Sequence, residues 1–229
     1  MKKGLFLFTC ILFSSLVYAD SYSGASKTEF LVLRAPVWVF LEAQPGTMKE
    51  GEGEKFLPPV QALRELAAFI MSGMSYGWQF SYTPYDKKRN VTENFELVPI
   101  SAVSPKTKRL RLMEPQVRYP YLYCWSEYTL FEDEARRREH WMSISFATVQ
   151  GSGNGERKKE LSGVYDAYKN AALQAVRNYV RKREKNKPKE IIGEMIIREN
   201  PRLFVDSGKF TAEIRVNIYI KEIIPYTIF

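Results

Sequence analysis

The chain of 229 residues contains a single histidine, His140, and two cysteines, Cys10 and Cys124. A hydrolase triad built on His140 would need a nucleophile and a carboxylate that the fold brings beside it, and no Gly-x-Ser-x-Gly motif marks a nucleophile. A metal site needs several clustered ligands, which one histidine and one distant cysteine do not supply. We therefore expect a surface histidine, no metal and no cofactor. A secreted hydrolase that uses His140 is the alternative.

A second candidate for chemistry is the acidic segment that holds Glu127, Glu132, Asp133 and Glu134. Two carboxyl groups across a cleft can cleave a glycosidic bond when they lie about 5 to 10 Å apart. Here the acidic residues are followed directly by arginines at 136–138, a pattern typical of a solvated helical face with local ion pairs. The sequence therefore favours a solvated helical face with local ion pairs over a pair of carboxyl groups that cleaves glycans.

Three glycines in the segment 151–155 precede the basic residues Arg157, Lys158 and Lys159 at the start of a predicted helix. A helix N-terminus with basic side chains can bind an anion, such as a lipid or glycan headgroup. The glycine spacing matches neither the dinucleotide fingerprint nor the nucleoside-triphosphate loop. The simpler interpretation is a flexible linker between a strand and the helix.

Rings occupy alternate positions in the segment 119–130, and between them lie Leu122 and Cys124. Such alternation places the rings on one face of a strand. An exposed row of rings suits stacking on sugars or docking of a partner, whereas a buried row is core. A similar alternation over residues 76–82 has a polar opposite face, and we expect that row to be core. The binding hypothesis rests on Tyr119, Tyr121, Tyr123 and Trp125.

The first nineteen residues predict a secretory signal peptide. Lys2 and Lys3 precede an apolar run over residues 5–17 that is too short to span a bilayer, and Ala19 marks a plausible cleavage site. The mature protein is then periplasmic or secreted and has no transmembrane segment after cleavage. Lipidation of Cys10 is an alternative that the bulky residues before it fit poorly.

The charge of the mature protein bears on its partners. Removing the two leader lysines from 34 basic residues leaves 32 against 26 acidic residues, a net charge of +6. An excess of basic residues favours anionic neighbours such as lipid headgroups, anionic glycans or acidic proteins, although a plain soluble surface also accounts for it. Outside the cytoplasm we expect no nucleic acid. Cys124 remains alone after cleavage, so we expect no internal disulfide.

The helices and strands that must position these residues follow a pattern that predicts an α+β protein. Amphipathic helices are expected at 58–74 and 157–185, and strands at 30–41, 76–83, 95–100, 119–130, 141–149, 190–198 and 209–224. We expect an antiparallel sheet with the two main helices packed on one face, possibly as two helix-strand-strand units. Residues 20–229 would form a single domain, with a possible subdivision near 151–156.

The segments 166–176 and 208–218, an alanine-spaced helix and an alternating strand, resemble a module of secreted bacterial envelope proteins. That module occurs in small outer-membrane lipoproteins and in periplasmic flagellar-ring assembly proteins, and the likeness covers the last third of the chain. The lipidated cysteine of the lipoproteins is missing at its expected position. The resemblance implies a non-catalytic scaffold or assembly factor with a protein partner in the envelope, and it carries over no site residues.

Overall fold

The computed structural model describes residues 31–43, 56–184 and 186–226. The predicted leader, with Cys10, and the polar stretch after it lie outside the described residues. Within the described ranges the protein has three α-helices and nine strands, which confirms the α+β class. The helices are α1 (Pro59–Ser75), α2 (Glu132–Trp141) and α3 (Glu160–Arg181). The strands are β1 (Val32–Phe40), β2 (Trp78–Thr83), β3 (Asn94–Pro99), β4 (Leu110–Arg118), β5 (Tyr121–Thr129), β6 (Ala147–Glu156), β7 (Glu190–Ile197), β8 (Arg202–Asp206) and β9 (Lys209–Ile224).

The strands form two antiparallel sheets, where one had been expected. The small sheet has the order β1-β5-β4, and the large sheet has the order β3-β2-β7-β9-β6 with β8 beside the first residues of β9. The predicted helix-strand-strand units are present in the large sheet as α1-β2-β3 and α3-β7-β9, and they meet where β2 pairs with β7. β1 and β5 pair with each other and belong to the small sheet, not to the large one.

Helix α1 begins at Pro59, where proline costs nothing because the first helical N–H has no partner within the helix. Its apolar positions recur every three or four residues, as the sequence predicts. Leu63, Leu66, Ile70 and Met71 are each at most 2% exposed. The helix packs on β1 of the small sheet and on β7 of the large sheet. Burying each of these side chains stabilises the fold by about 2 kcal/mol.

Helix α3 lies directly on β6, and the glycines of β6 make this approach possible. A Cβ atom at Gly151 would lie 2.0 Å from the carbonyl oxygen of Ala171, and one at Gly153 would lie 2.1 Å from the nitrogen of Ala171. Any side chain larger than hydrogen would therefore push the helix away. The expected flexible linker at 151–155 is wrong, because this segment pairs with β9 along its whole length.

Side chains of α3 also reach the outer edge of β6. The amide of Asn170 donates to the carbonyl oxygen of Asn154 at 2.8 Å, and the amide of Asn178 donates to that of Gln150 at 3.0 Å. β6 is the last strand of the large sheet. Its outward acceptors at these two positions are thus already occupied.

Two strands were not predicted from the sequence, and one was misplaced. β4 is mostly exposed and contains Pro115, with an irregular register between Met113 and Gln116. β8 is a five-residue strand inside the expected turn between the last two strands. The strand expected at 141–149 begins only at Ala147, because α2 continues to Trp141.

Helix α2 is attached by a buried arginine. Arg138 is 8% exposed and donates to the carbonyl oxygens of Met74, Ile197 and Arg198. Burial lowers the pKa of the Arg138 guanidinium to about 10. The guanidinium therefore joins α2 to the end of α1 and to the end of β7. None of the described helices is long and apolar enough to cross a membrane.

Candidate functional site

Three of the four predicted rings lie on one face of β5. Tyr121, Tyr123 and Trp125 are half-buried on this face, while Leu122 and Cys124 are buried on the opposite face, 9% and 4% exposed. The expected alternation is therefore correct over these residues. Burial raises the pKa of the Cys124 thiol to about 11, which keeps it protonated and unreactive.

Tyr119 does not belong to this row. It lies with Pro120 in the turn between β4 and β5 and is 75% exposed. The prediction that Tyr119 extends the ring face is wrong, because the strand begins at Tyr121. Beside Tyr119, Val117 near the end of β4 is 68% exposed, so the tip of the β4–β5 hairpin presents two apolar side chains.

The ring row continues on to β1. Trp38 pairs with Tyr123 across the two strands, and Phe40 pairs with Tyr121. The ring centroids of Trp38 and Tyr121 lie 4.9 Å apart, and so do those of Phe40 and Tyr121. Phe210 of β9 approaches both Trp38 and Phe40, at 6.2 and 6.0 Å. We call these five rings, Trp38, Phe40, Tyr121, Tyr123 and Phe210, the Trp38 cluster.

Trp38 fixes the position of the cluster between the two sheets. Its indole N–H donates to the carbonyl oxygen of Leu203 in β8 at 2.8 Å, so its polar atom has a partner while its ring remains in the cluster. The sequence does not single out Trp38 as a site residue, because an apolar strand gives no sign of which rings border empty space. Only the pairing of β1 with β5 shows that Trp38 adjoins the predicted row.

Two cavities border these rings, and Trp38 lines both of them. The α3 cavity, about 350 Å³, lies between β1 and the first turns of α1 and α3 and is bordered by Ala62, Leu161 and Phe210. The β8 cavity, about 450 Å³, lies between the small sheet and β8 and is bordered by Tyr121, Tyr123, Tyr168 and Leu203. Both volumes fall in the range of small-molecule pockets.

Guanidinium groups lie over three of the rings on this side of the small sheet. Arg34 lies 4.6 Å from the ring centroid of Trp125, and Arg118 lies 5.8 Å from that of Tyr123. Arg157 lies 5.1 Å from the ring centroid of Phe40. These distances allow cation–π attraction, which combines an apolar surface with positive charge.

The predicted anion patch is a short 3-10 turn directly before α3. Its three basic side chains do not form one cluster, because Arg157 lies over Phe40 whereas the ammonium of Lys159 lies 3.1 Å from Asp166. Lys158 is exposed. Through Arg157, the structure brings the start of α3 to the Trp38 cluster, so the two regions predicted separately from the sequence are neighbours.

The candidate catalytic histidine lies elsewhere. His140 is exposed near the end of α2, with its ring edge-to-face against Phe146 at 5.3 Å. Within the described part of the chain it makes no hydrogen bond to a serine or a carboxylate. The same residues contain no group of three or more His, Cys, Asp and Glu placed to hold a metal ion.

The acidic segment forms ion pairs, as the sequence favoured. Glu132 pairs with Arg136 at 3.1 Å on the surface of α2, and Glu127 lies 3.5 Å from Arg34. Asp133 is exposed. These carboxylates border neither of the two cavities.

Glu134 differs from its neighbours because it is buried, at 7% exposed. It accepts hydrogen bonds from the Arg109 guanidinium and the Phe131 backbone N–H, both at 2.7 Å, and from the hydroxyl of Tyr76. Burial alone would raise the pKa of the Glu134 carboxyl, but these three bonds outweigh burial and hold its pKa below the usual range. Glu134 is therefore a fixed anion rather than a proton donor.

The geometry defines an α+β protein with a cluster of aromatic rings and two cavities between its two sheets. A protein-family model matches residues 21–226, so the chain belongs to that family. The chain is 41% identical over 217 residues to a Treponema pallidum (strain Nichols) protein described as uncharacterized. The alignment covers 95% of this chain and 91% of the treponemal protein. No solved structure matches the chain.

Proposed function

We propose that the protein is exported to the bacterial envelope and acts there by binding, as a periplasmic or secreted scaffold or assembly factor. The leader-like first nineteen residues support export, and the resemblance of the last third to envelope modules supports an assembly role. The observation that carries the proposal is the ring-bearing face of β5 together with the β4–β5 hairpin tip beside it. It combines a half-buried ring row, three guanidinium groups over rings, and an exposed apolar hairpin tip at Tyr119 and Val117.

The side chains of this region suit recognition better than hydrolysis. Rings with adjacent guanidinium groups are enriched where proteins bind one another, because they bury much apolar area and retain polar contacts. A hydrolase would need a base beside a nucleophile. His140 instead packs on Phe146, and Glu134 is held in an ion pair with Arg109.

Anionic lipid or glycan is the second class of ligand considered for this surface. The net charge of +6 after leader removal and the position of Arg157 over Phe40 favour an anionic group near the start of α3. Binding to an anionic lipid surface would weaken steeply with salt, because exposed charges are screened within about 10 Å at 0.1 M salt. Salt dependence therefore separates a lipid from a protein partner that is held by rings.

The proposal is tested by site-specific crosslinking in the native cell. A photo-reactive amino acid replaces Tyr119 at the hairpin tip, and in a matched control it replaces Tyr85, which is 54% exposed in the loop after β2. We expect a discrete envelope protein to be crosslinked from position 119 and not from position 85. Both side chains are exposed, so neither change should alter the midpoint of unfolding.

Two results would contradict the proposal. One is an identical set of crosslinked species from both positions, which would indicate random collisions. The other is turnover of an ester, peptide or glycan by the purified protein that is lost in His140→Ala, since it would establish the hydrolase.

A further inference from the structure

One end of the molecule carries a dense group of exposed basic side chains. Three segments border an open cleft of about 1020 Å³ there: the loop after β2, the connection from α3 to β7, and the end of β9 with the residues after it. On the first two segments and at the last residue of α3, eight lysines and arginines are exposed. They are Lys87–Arg89, residues 181–183, Lys187 and Lys189, and we call them the basic end.

Few acidic groups neutralise the basic end. Arg89 pairs with Asp86 at 2.7 Å, but no salt bridge joins the other seven basic side chains to an acidic residue in the described part of the chain. Glu184 and Glu222 lie on the same segments and offset only part of the excess. This end of the molecule is therefore strongly positive.

The dipole of α3 accounts for only part of this charge. The C-terminus of a helix carries partial negative charge, so basic side chains are favoured in the last turn of α3 and directly after it. That attraction falls off within one turn and does not explain Lys87 and Lys88, which lie on a different segment. The basic end thus gathers more positive charge than the stability of α3 requires.

Two exposed apolar side chains accompany the basic end. Tyr85 is 54% exposed beside the 3-10 turn Lys87–Arg89, and its carbonyl oxygen accepts from the ammonium of Lys187 at 2.9 Å. Ile223 is 39% exposed and borders the cleft. A tyrosine ring and an aliphatic side chain among lysines are typical of surfaces that lie in the headgroup region of a bilayer.

The spread of the charge favours a surface over a single anion as the partner. The basic side chains come from separate segments around a wide cleft, so a small anion such as phosphate would contact only a few of them. A bilayer with anionic headgroups presents many charges at once, and each lysine or arginine close to such a surface adds to the attraction.

We infer that the basic end attaches the protein peripherally to a bilayer that contains anionic lipid. This surface is distinct from the hairpin tip and from the start of α3, and the inference goes beyond the proposed scaffold function. β9 is roughly 50 Å long, and it runs from Lys209, beside Phe210 of the Trp38 cluster, to Ile224 at the basic end. The attached protein thus holds the Trp38 cluster away from the bilayer.

The test is co-sedimentation of the protein with vesicles made of equal parts phosphatidylglycerol and phosphatidylcholine, and with vesicles of phosphatidylcholine alone. The protein begins at residue 20, so that the predicted leader cannot bind lipid itself, and it contains every described helix and strand. We expect binding to the mixed vesicles that weakens steeply with salt, and no binding to phosphatidylcholine alone. Lys87→Gln combined with Lys88→Gln should lower the affinity about ten- to thirtyfold.

Lys158→Gln combined with Lys209→Gln is the matched control. It removes the same number of charges from exposed lysines at the opposite ends of α3 and β9. The affinity should then change less than about threefold, because charges farther than about 10 Å from the bilayer are largely screened at about 0.1 M salt. All four side chains are exposed, so neither variant should alter the midpoint of unfolding.

Three results would overturn the inference. The first is failure of the protein to prefer the mixed vesicles at low salt. The second is an equal loss of affinity in the two variants, which would show that only net charge matters. The third is binding of inorganic polyphosphate without binding of vesicles, which would assign the basic end to a soluble polyanion.

None of these results bears on crosslinking from position 119. Position 85, the control in that experiment, lies at the basic end, where a bilayer supplies lipid and no discrete protein. The two proposals therefore fail separately.

Discussion

The contact between α3 and β6 and the contact between the small sheet and its neighbours are built in opposite ways. In the first, glycine faces alanine and the backbones nearly touch, since a Cβ atom at Gly153 would lie only 2.1 Å from the backbone nitrogen of Ala171. In the second, large rings meet around Trp38 and leave cavities of about 350 and 450 Å³. Small side chains close a contact completely, whereas rigid rings of fixed shape leave space that a ligand can occupy. We therefore expect the α3–β6 contact to be the more rigid of the two.

The largest effect is expected from adding a single methyl group to the tight contact. Gly153→Ala places a Cβ 2.1 Å from the backbone nitrogen of Ala171, so α3 would have to move off β6 and lose the packing between them. We expect a loss of at least about 3 kcal/mol in the free energy of unfolding, measured by urea denaturation. Ser152→Ala, at an exposed position of the same strand, should change it by less than about 0.5 kcal/mol. Equal effects would show that α3 is free to shift.

A smaller effect is expected at the polar contact that joins the small sheet to α1 and α2. Because the pKa of Glu134 is lowered from 4.5, its ion pair contributes fully above that pH and is lost as pH falls through the lower folded value. Glu134→Gln should lose about 2 kcal/mol at neutral pH and show a shallower acid-induced decline than the wild type. Urea denaturation across pH measures both.

Hydrogen exchange at acid pH sharpens the same comparison. Backbone amides of β5 should lose protection before those of β6, since α3–β6 depends on no charge. Glu132→Gln, a change in an exposed ion pair, should leave the pH profile as it is. Simultaneous loss of protection in both strands would show that the two contacts unfold as one unit.

The smallest effect is expected from filling the α3 cavity. Ala62→Leu extends a side chain of α1 into that space, so the free energy of unfolding should stay within about 1 kcal/mol of the wild type, on the stabilising side. Ala67→Leu, on a fully buried position of the same helix, should cost about 1 to 3 kcal/mol. Thermal or urea denaturation of the two variants measures both changes in the free energy of unfolding. A comparable loss in Ala62→Leu would show that the cavity is not open space.

Most of the fold follows from local patterns. The strand at 209–224 and the first helix were predicted closely because their alternation and helical periodicity are regular. β4 was missed because Pro115 and an exposed face remove the usual strand signal. The glycines of β6 were interpreted as a loop because glycine has low strand propensity, and only the approach of α3 gives the reason for them.

The candidate site was predictable only in part. The alternation at 121–125 identified the ring face, since local periodicity determines which side chains share a face of a strand. Trp38 was not identified, because its place beside the ring face depends on the pairing of β1 with β5, which no local pattern encodes. A ring that borders empty space and a ring inside the core look alike in the sequence.

The two asparagine amides that reach from α3 to β6 have a consequence for growth of the large sheet. An extended segment from a second molecule could join that rim only by displacing the amides of Asn170 and Asn178 from the carbonyl groups they already occupy. Unprotected edge strands are the places where proteins pair with further chains and aggregate. A helix that packs along the edge strand thus blocks further strand pairing at these two positions without adding charge.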